Sequence, residues 1–188
     1  MKKIPTLFER VYENGKVVGI TENVKPGFEW VLDGEGIATV KHDGSCCAII
    51  NGELYKRYDA KAGKKPPEGA IPCCDPDPIT GHWPHWVKVN ANDTSDKWFA
   101  QFIGAELPDG TYEAVGRHFN GNPYLQENDM LIPHGKCVVE VERTFDGIKE
   151  WLQTHLEEGI VFWKDGEPKC KIKRRDFGFR WPCIGKLK

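Results

Sequence analysis

Two tight turns constrain the fold of this chain more than any other feature of its sequence. They are Asn51-Gly52 and Asp165-Gly166, and strand-forming residues lie on both sides of each turn. Asn-Gly and Asp-Gly are preferred central pairs of two-residue β-hairpins. The sequence therefore predicts two antiparallel hairpins, one centred near residue 51 and one near residue 165.

The second hairpin predicts an acid beside two lysines. Its turn places Lys164 opposite Glu167 and Glu158 opposite Lys173, and alternation puts Lys171 on the same face as that last pair. Polyphosphate gives a reason for this grouping, because cations neutralise the charge that develops as a phosphoryl group transfers. The structural alternative is a cross-strand ion pair worth roughly a few tenths of a kcal/mol. The same register assigns to the opposite, packing face Val161, Trp163, Cys170 and Ile172.

The rest of the sequence predicts short strands and one clear helix. Apolar residues at three- and four-residue intervals predict a helix over 144–156, with Thr144 as its N-cap. Because strands dominate and few helices interleave them, we expect an α+β fold with mainly antiparallel sheet, in a single domain over 1–188. Further strands are expected at 35–40, 86–89, 111–115 and 137–142, and the first hairpin should place Ile50 opposite Glu53 and Cys46 opposite Arg57.

Composition limits the possible classes of protein. Hydrophobic residues make up 39% of the 188 positions and charged residues 29%, which favours a folded, soluble globule. We expect a cytoplasmic protein without membrane contact, since no apolar run of about 18 residues or signal peptide is present. The seven cysteines are then reduced thiols. With a formal net charge of −2, RNA binding would need locally concentrated cations, as in the last 20 residues, which include Lys186 and Lys188.

A proline-rich stretch over 61–84 is expected to be a long irregular loop. Cys73, Cys74, His82 and His85 lie in or next to it and carry zinc-ligand side chains, although their spacing matches no familiar zinc module. The structural interpretation is a loop with buried thiols and packed tryptophans.

The segment Lys41-His-Asp-Gly44 is a candidate nucleophile site. It follows an apolar strand and ends in a turn glycine, so the lysine would project from the end of rigid structure. A lysine must lose its proton to attack, and its ordinary pKa is about 10.4. Nearby cations lower that pKa, and Lys171 and Lys173 are candidates for this role. Taken alone, the segment is more typical of a surface turn with a solvated lysine.

Several segments together resemble the covalent nucleotidyltransferase superfamily of polynucleotide ligases and capping enzymes. In the family's order they are Lys41-His-Asp-Gly44, Tyr112-Glu-Ala-Val-Gly116, Glu158-Gly-Ile-Val-Phe162 and Lys171-Ile-Lys173. Arg57 stands where the family places an arginine after the nucleophile strand. Three further segments, 81–87, 121–124 and 131–135, look most like those of small RNA-repair ligases of phages and animals. The resemblance spans roughly residues 35–176.

The resemblance implies an enzyme, an ATP-dependent RNA ligase with an ATP-grasp-like ligase nucleotidyltransferase (adenylation) domain. Lys41 would attack the α-phosphate of ATP to form lysyl–AMP. AMP would then pass to an RNA 5′-phosphate, and an RNA 3′-hydroxyl would displace it. The implied cofactors are ATP and Mg²⁺ or Mn²⁺, and the implied partner is RNA. Because 15 residues follow Lys173, no OB-fold domain is expected.

The resemblance also implies roles for individual residues. The catalytic residues would be Lys41, Lys171 and Lys173, and the metal residues Glu113 and Glu158. Arg57 would hold the incoming 5′-phosphate, and RNA contacts are also expected at Arg174 and Arg175, although a solvated charged strand is the alternative for Arg174. Residues expected to bind ATP are Thr39, Val40, Lys41, Asp43, Arg57, Glu113, Phe119, Glu158, Lys171 and Lys173.

Some assignments stay open at this point. Phe119 is a candidate to stack on adenine, with Tyr124 as its rival, and Trp181 is a candidate to stack on an RNA base. His134 is either near the active site or a structural histidine. A third possibility for the loop over 61–84 is that it lies near the path of pyrophosphate or RNA. The enzyme alternatives are an RNA 5′-end adenylyltransferase that does not seal and a capping-type guanylyltransferase. The non-enzyme alternative is an RNA-binding module with a degenerate ligase fold, which the intact lysine and glutamate set opposes.

Overall fold

The computed structural model describes residues 3–61, 63–78 and 80–183 of the chain. These residues form eleven β-strands and two α-helices, and every ladder between named strands is antiparallel. The prediction of an α+β fold with mainly antiparallel sheet is confirmed. None of the helices in this part of the chain is long and apolar enough to cross a membrane.

The elements follow one another as short segments. The helices are α1 (Lys97–Ala100) and α2 (Phe145–Thr154). The strands are β1 (Phe8–Glu13), β2 (Lys16–Val24), β3 (Ile37–Lys41), β4 (Ser45–Ile50), β5 (Glu53–Ala60), β6 (Ile71–Pro72), β7 (Trp83–Lys88), β8 (Gly110–Val115), β9 (Met130–Pro133), β10 (Gly159–Lys164) and β11 (Glu167–Lys173).

Two compact units divide the chain. The six-stranded unit contains residues 44–122 and 126–134, and the three-stranded unit contains residues 4–43, 123–125 and 135–183. Each unit has its own apolar cluster, so each is described by itself.

The six-stranded unit is one sheet in the order β6-β7-β5-β4-β8-β9. The Asn51-Gly52 turn joins β4 to β5, with both residues at positive φ, and places Ile50 opposite Glu53 as predicted. Alternate residues of the central strands point into one apolar cluster, because side chains in a strand alternate between faces. Its buried members are Cys47, Ile49, Leu54, Val89, Tyr112, Ala114 and Phe119.

The three-stranded unit is built on the sheet β11-β10-β3, with β1 and β2 as a separate hairpin. The β1–β2 hairpin turns at Asn14-Gly15, which sequence reasoning missed although Asn-Gly is the signal that located the first hairpin. Helix α2 begins after Thr144, whose hydroxyl accepts a hydrogen bond from the Gly147 amide, as an N-cap does. Its apolar face packs into the cluster of Leu7, Phe8, Val31, Ala38, Ile148, Trp151, Leu152, Ile160, Phe162, Cys170 and Ile172.

The register of the β10–β11 hairpin departs from the predicted one. Lys164 lies opposite Glu167 as expected, but a bulge follows, so that Gly159 rather than Glu158 lies opposite Lys173. The extra residue is Lys169, next to Pro168. Proline has no N–H to donate, and the ladder is interrupted where it stands.

The bulge also reverses the predicted faces of β11. Cys170 and Ile172 share the fully buried face with Ile160 and Phe162, all at 0% exposure. Lys171 and Lys173 instead lie on the face of Val161 and Trp163, opposite to the predicted assignment. A one-residue slip exchanges the two faces of a strand, so the single bulge accounts for the whole error.

The other predicted strands have mixed outcomes. Those expected at 35–40, 86–89 and 111–115 are present with shifted ends, as β3, β7 and β8. The one expected at 137–142 is not a strand. It forms an isolated bridge between Thr39 and Val138, with backbone hydrogen bonds from Val40 to Cys137 and from Val139 to Ala38.

Gly159→Ala should destabilise the protein, because a Cβ at Gly159 would lie 2.2 Å from the backbone oxygen of Ile172. Overpacking against fixed backbone costs about 1–3 kcal/mol of unfolding free energy. Denaturant unfolding monitored by circular dichroism measures this loss. Gly19→Ala is the matched control, since its Cβ would have no atom within 4 Å. Equal stability of the two variants would contradict the close approach.

Candidate active site

Lys41 is the last residue of β3 and lies opposite Gly159 of β10. The strand before it is firmly anchored: Thr39 is buried, and its hydroxyl accepts a hydrogen bond from the Trp163 indole at 2.8 Å. Lys41 itself is half-buried. The side chain therefore projects from the end of a rigid strand, as the sequence predicted.

Glu158 joins two of the predicted lysines. Its carboxylate is 5% exposed and forms ion pairs with Lys41 through one oxygen and with Lys173, at 2.6 Å, through the other. Glu158 comes immediately before β10, so its side chain reaches Lys173 although the backbone pairs Gly159 with that lysine. The predicted contact is present, reached by a different register.

Lys171 completes this group of cations. Burial first, and then the charges of Lys173 and Lys41, lower the pKa of Lys171 to about 8. Glu158 acts in the opposite direction. The charge of Lys171 therefore carries a cost, and an added anion would relieve it.

Asp43 is held by two aromatic side chains. The Asp43 amide donates to the Tyr124 hydroxyl, and the Trp181 indole donates to the Asp43 carboxylate, both at 2.7 Å. Burial, followed by the Glu158 charge, raises the pKa of Asp43, while the Trp181 hydrogen bond lowers it. Sequence reasoning missed this role of Trp181, whose ring was predicted to stack on an RNA base but is 8% exposed.

We name Lys41, Asp43, Glu158, Lys171 and Lys173 the lysine–carboxylate cluster. It lies in the three-stranded unit and combines three ammonium groups with two carboxylates. Such a group offers an amine nucleophile, cations for a transferring phosphate and carboxylates that position both.

Glu113 and Arg57 belong to the six-stranded unit. One oxygen of the Glu113 carboxylate accepts a hydrogen bond from the Gly44 amide. The other oxygen lies 3.0 Å from the His134 ring. Arg57 donates to Asp59 at 2.8 Å, and His82 contacts the other oxygen of Asp59. Both predicted residues are thus fixed by polar neighbours.

Comparison with known proteins points to RNA ligases. No protein-family model matches the chain. It is 26% identical to RNA ligase 1 of Danio rerio, over 86% of this chain and 73% of that protein. It is also 26% identical to RNA ligase 1 of Rattus norvegicus and 25% identical to that of Mus musculus, each over 78% of this chain and 68% of the relative. These similarities support a distant relationship to RNA ligases.

Phe119 does not fit its predicted place against adenine. It is 3% exposed and packs edge-on against Phe99 at 5.1 Å between ring centroids, inside the apolar cluster of the six-stranded unit. A ring enclosed in this way has no free face for a base. Phe99 and Phe102 are the aromatic residues in the sequence that indicate packing around Phe119, and the prediction did not use them.

Arg174 differs from its predicted surroundings in the same way. It is 9% exposed, and its guanidinium donates to the backbone oxygens of Leu152, His155 and Arg180. The expectation of a solvated side chain is wrong, and this geometry assigns Arg174 to holding the chain after α2. Arg175 is exposed and donates to the Trp181 backbone oxygen. Lys186 and Lys188 lie outside the described residues.

The proline-rich stretch does not assemble the suggested zinc site. Among the described residues, the group of His, Cys, Asp and Glu with ligand atoms close enough for one ion is Cys46, Glu113 and His134. His85 is buried, with its ring nitrogen 2.9 Å from the Trp83 backbone oxygen. The Trp83 indole donates to the backbone oxygen of Cys74. These contacts agree with the packed tryptophans of the structural interpretation, but its buried thiols are wrong, since Cys73 and Cys74 are half-buried.

Proposed function

We propose that this protein is an ATP-dependent RNA ligase that stores AMP on Lys41. The observation that carries the proposal is the sharing of the buried Glu158 carboxylate by Lys41 and Lys173, with Lys171 beside them. This shared contact joins Lys41 to residues more than a hundred positions further along the chain. All of them lie in the segments that carry the resemblance seen in the sequence. The similarity to RNA ligase 1 supports RNA as the substrate.

The first chemical step forms a bond between the Lys41 nitrogen and the α-phosphorus of ATP. The bond from that phosphorus to the bridging oxygen breaks, and pyrophosphate leaves. Lys41 must be released from its ion pair with Glu158 and lose a proton before it attacks. Lys171 and Lys173 then neutralise the negative charge of the transferring phosphate.

The cluster has donors that suit a hard divalent cation. Mg²⁺ prefers oxygen ligands, and the carboxylates of Asp43 and Glu158 are close enough for the charge of one to raise the pKa of the other. We propose that these two residues hold Mg²⁺ or Mn²⁺ with the nucleotide. The ion would supply further neutralisation of phosphate charge.

Other roles follow from the resemblance and extend the proposal. Val40 would contact the adenine from the strand before the nucleophile. Thr39, which was expected to share this role, is buried with its hydroxyl held by the Trp163 indole and does not fit it. Arg57 would bind the RNA 5′-phosphate, for which a forked guanidinium is suited. Glu113 would contact the ribose or a water bound to the metal.

The experiment uses ATP and GTP labelled at the α-phosphate. We expect wild-type protein with Mg²⁺ to become covalently labelled by ATP, and then to seal RNA with 5′-phosphate and 3′-hydroxyl ends. Labelling by GTP alone would favour a capping-type guanylyltransferase. Accumulation of adenylated RNA without sealing would favour a 5′-end adenylyltransferase. Labelling by neither nucleotide would contradict any covalent nucleotidyltransferase.

Trp181→Phe should shift the acid side of the pH profile of lysyl–AMP formation to higher pH. The change removes the indole donor at 2.7 Å that lowers the pKa of Asp43. That pKa, already raised by burial, rises further, so the carboxylate is lost at a higher pH than in the wild type. Initial rates of labelling measured across pH test this. Trp98→Phe, at a ring that is 40% exposed, is the control. An unshifted acid limb in Trp181→Phe would contradict the role of Asp43.

A further inference from the structure

Three metal-ligating side chains meet on one face of the six-stranded unit. Cys46 of β4 lies opposite Glu113 of β8, and Glu113 lies opposite Ile132 of β9. His134 stands two positions after Ile132, and its amide bonds to the Thr111 backbone oxygen. Because alternate residues share a face, the side chains of Cys46, Glu113 and His134 converge from three neighbouring strands.

We infer that Cys46, Glu113 and His134 form a binding site for a borderline divalent metal ion of the zinc type. One ligand atom from each residue lies within 4.8 Å of the other two. Bonds of about 2.0–2.3 Å to a tetrahedral ion would need only small movements, in which the Glu113 and His134 ligand atoms, now 3.0 Å apart, separate slightly. All three side chains are half-buried, so a fourth position is left for water or a ligand.

The hydrogen-bond partners of the ligands already fix their orientation. The Nδ1 atom of His134 lies 3.0 Å from the Thr111 hydroxyl, and Oε1 of Glu113 accepts from the Gly44 amide at 3.0 Å. These contacts leave Nε2 of His134 and Oε2 of Glu113 facing each other at 3.0 Å. Hydrogen bonds of this kind, made by the atoms of a ligand that do not face the metal, are typical of metal sites in proteins. An ion would replace the proton between those two atoms.

The donor set selects the class of ion. A thiolate and an imidazole favour Zn²⁺ and its neighbours, whereas Mg²⁺ takes oxygen ligands. Arg57 also hydrogen-bonds Cys46, and its own charge is countered by the 2.8 Å ion pair with Asp59. The donor set is therefore chemically different from the carboxylates proposed to hold Mg²⁺ with the nucleotide. It includes Glu113, so an ion held here would take the place of the contact to the ribose or a metal-bound water proposed for this residue.

Titration with Co²⁺ tests the site without any nucleotide, so its result is independent of the proposed function. In the full chain kept reduced with a phosphine, one Co²⁺ per chain should produce a thiolate-to-cobalt absorption band, which Zn²⁺ then removes. Cys46→Ser should lose the band, and Thr111→Val, which keeps all three ligands, should weaken Co²⁺ binding about tenfold. Cys183→Ser should leave the band unchanged. Absence of the band in the wild type, or its survival in Cys46→Ser, would overturn the inference.

Discussion

Lys41→Ala should abolish covalent labelling by ATP, with a loss of at least about 10³-fold in the rate of lysyl–AMP formation. The alanine removes the amine that attacks the α-phosphate, and the other lysines of the cluster do not replace it. Lys173 stays paired with Glu158 at 2.6 Å, and Lys171 lies on β11, which β10 separates from the strand of Lys41. Denaturing gel electrophoresis after incubation with α-labelled ATP measures the adduct directly.

Lys169→Ala is the matched control for this change. Lys169 belongs to the β10–β11 hairpin that carries Lys171 and Lys173, but its ammonium pairs with Glu167, which is exposed. Its replacement should leave labelling within about twofold of the wild type, because exposed ion pairs contribute little. The folded state of Lys41→Ala is checked by its thermal unfolding, since Glu158 retains one cationic partner. Labelling of a folded Lys41→Ala at the wild-type rate would show that another residue is the nucleophile.

Glu158→Gln should have the second-largest effect, because it removes the carboxylate that joins two lysines. Lys41 and Lys173 both lose their partner, and Lys171, whose pKa is already lowered to about 8, gains two uncompensated cationic neighbours. We expect the rate of lysyl–AMP formation to fall by about 10²–10³-fold as the lysines and the metal lose their positions. Labelling time courses with ATP and Mg²⁺ measure this rate.

The same variant should lose about 1–3 kcal/mol of unfolding free energy. Breaking a fully buried pair costs more, but here the lysine side chains are 20% and 30% exposed, and solvent screens them. Glu167→Gln removes the carboxylate of an exposed pair with Lys169 and should change stability by less than about 0.5 kcal/mol. If both variants unfold and label alike, Glu158 does not organise the cluster.

Local chain chemistry made the hairpins predictable. Asn51-Gly52 and Asp165-Gly166 adopt the positive φ values that their turns require, and each sets the first residue pair after the turn. A turn determines only the start of a register, however. The bulge beside Pro168 lies three residues beyond the turn, and whether a ladder skips a residue there depends on what the next residues pack against. Burial of Cys170 and Ile172 in the core of the three-stranded unit decides it.

The candidate site was predictable where a pattern joined residue types with a known chemistry. Lys41, Glu158, Lys171 and Lys173 come together in the structure because the strands that carry them pair in one sheet. The errors concern residues whose surroundings come from distant parts of the chain. Phe119 meets one aromatic ring within α1 and another just after it. Arg174 meets the carbonyls at the end of α2, and Trp181 meets Asp43.

The claim that Lys41 carries AMP is tested most directly by mass spectrometry. The protein is reacted with ATP and Mg²⁺, and its peptides are then mapped. The proposal predicts one added AMP per chain, joined through an acid-labile phosphorus–nitrogen bond, on the peptide that contains Lys41. Lys164→Ala, which removes a lysine paired with Glu35, should give the same modified peptide. AMP found on another residue, or no adduct on a folded protein that is supplied with ATP and Mg²⁺, would contradict the account.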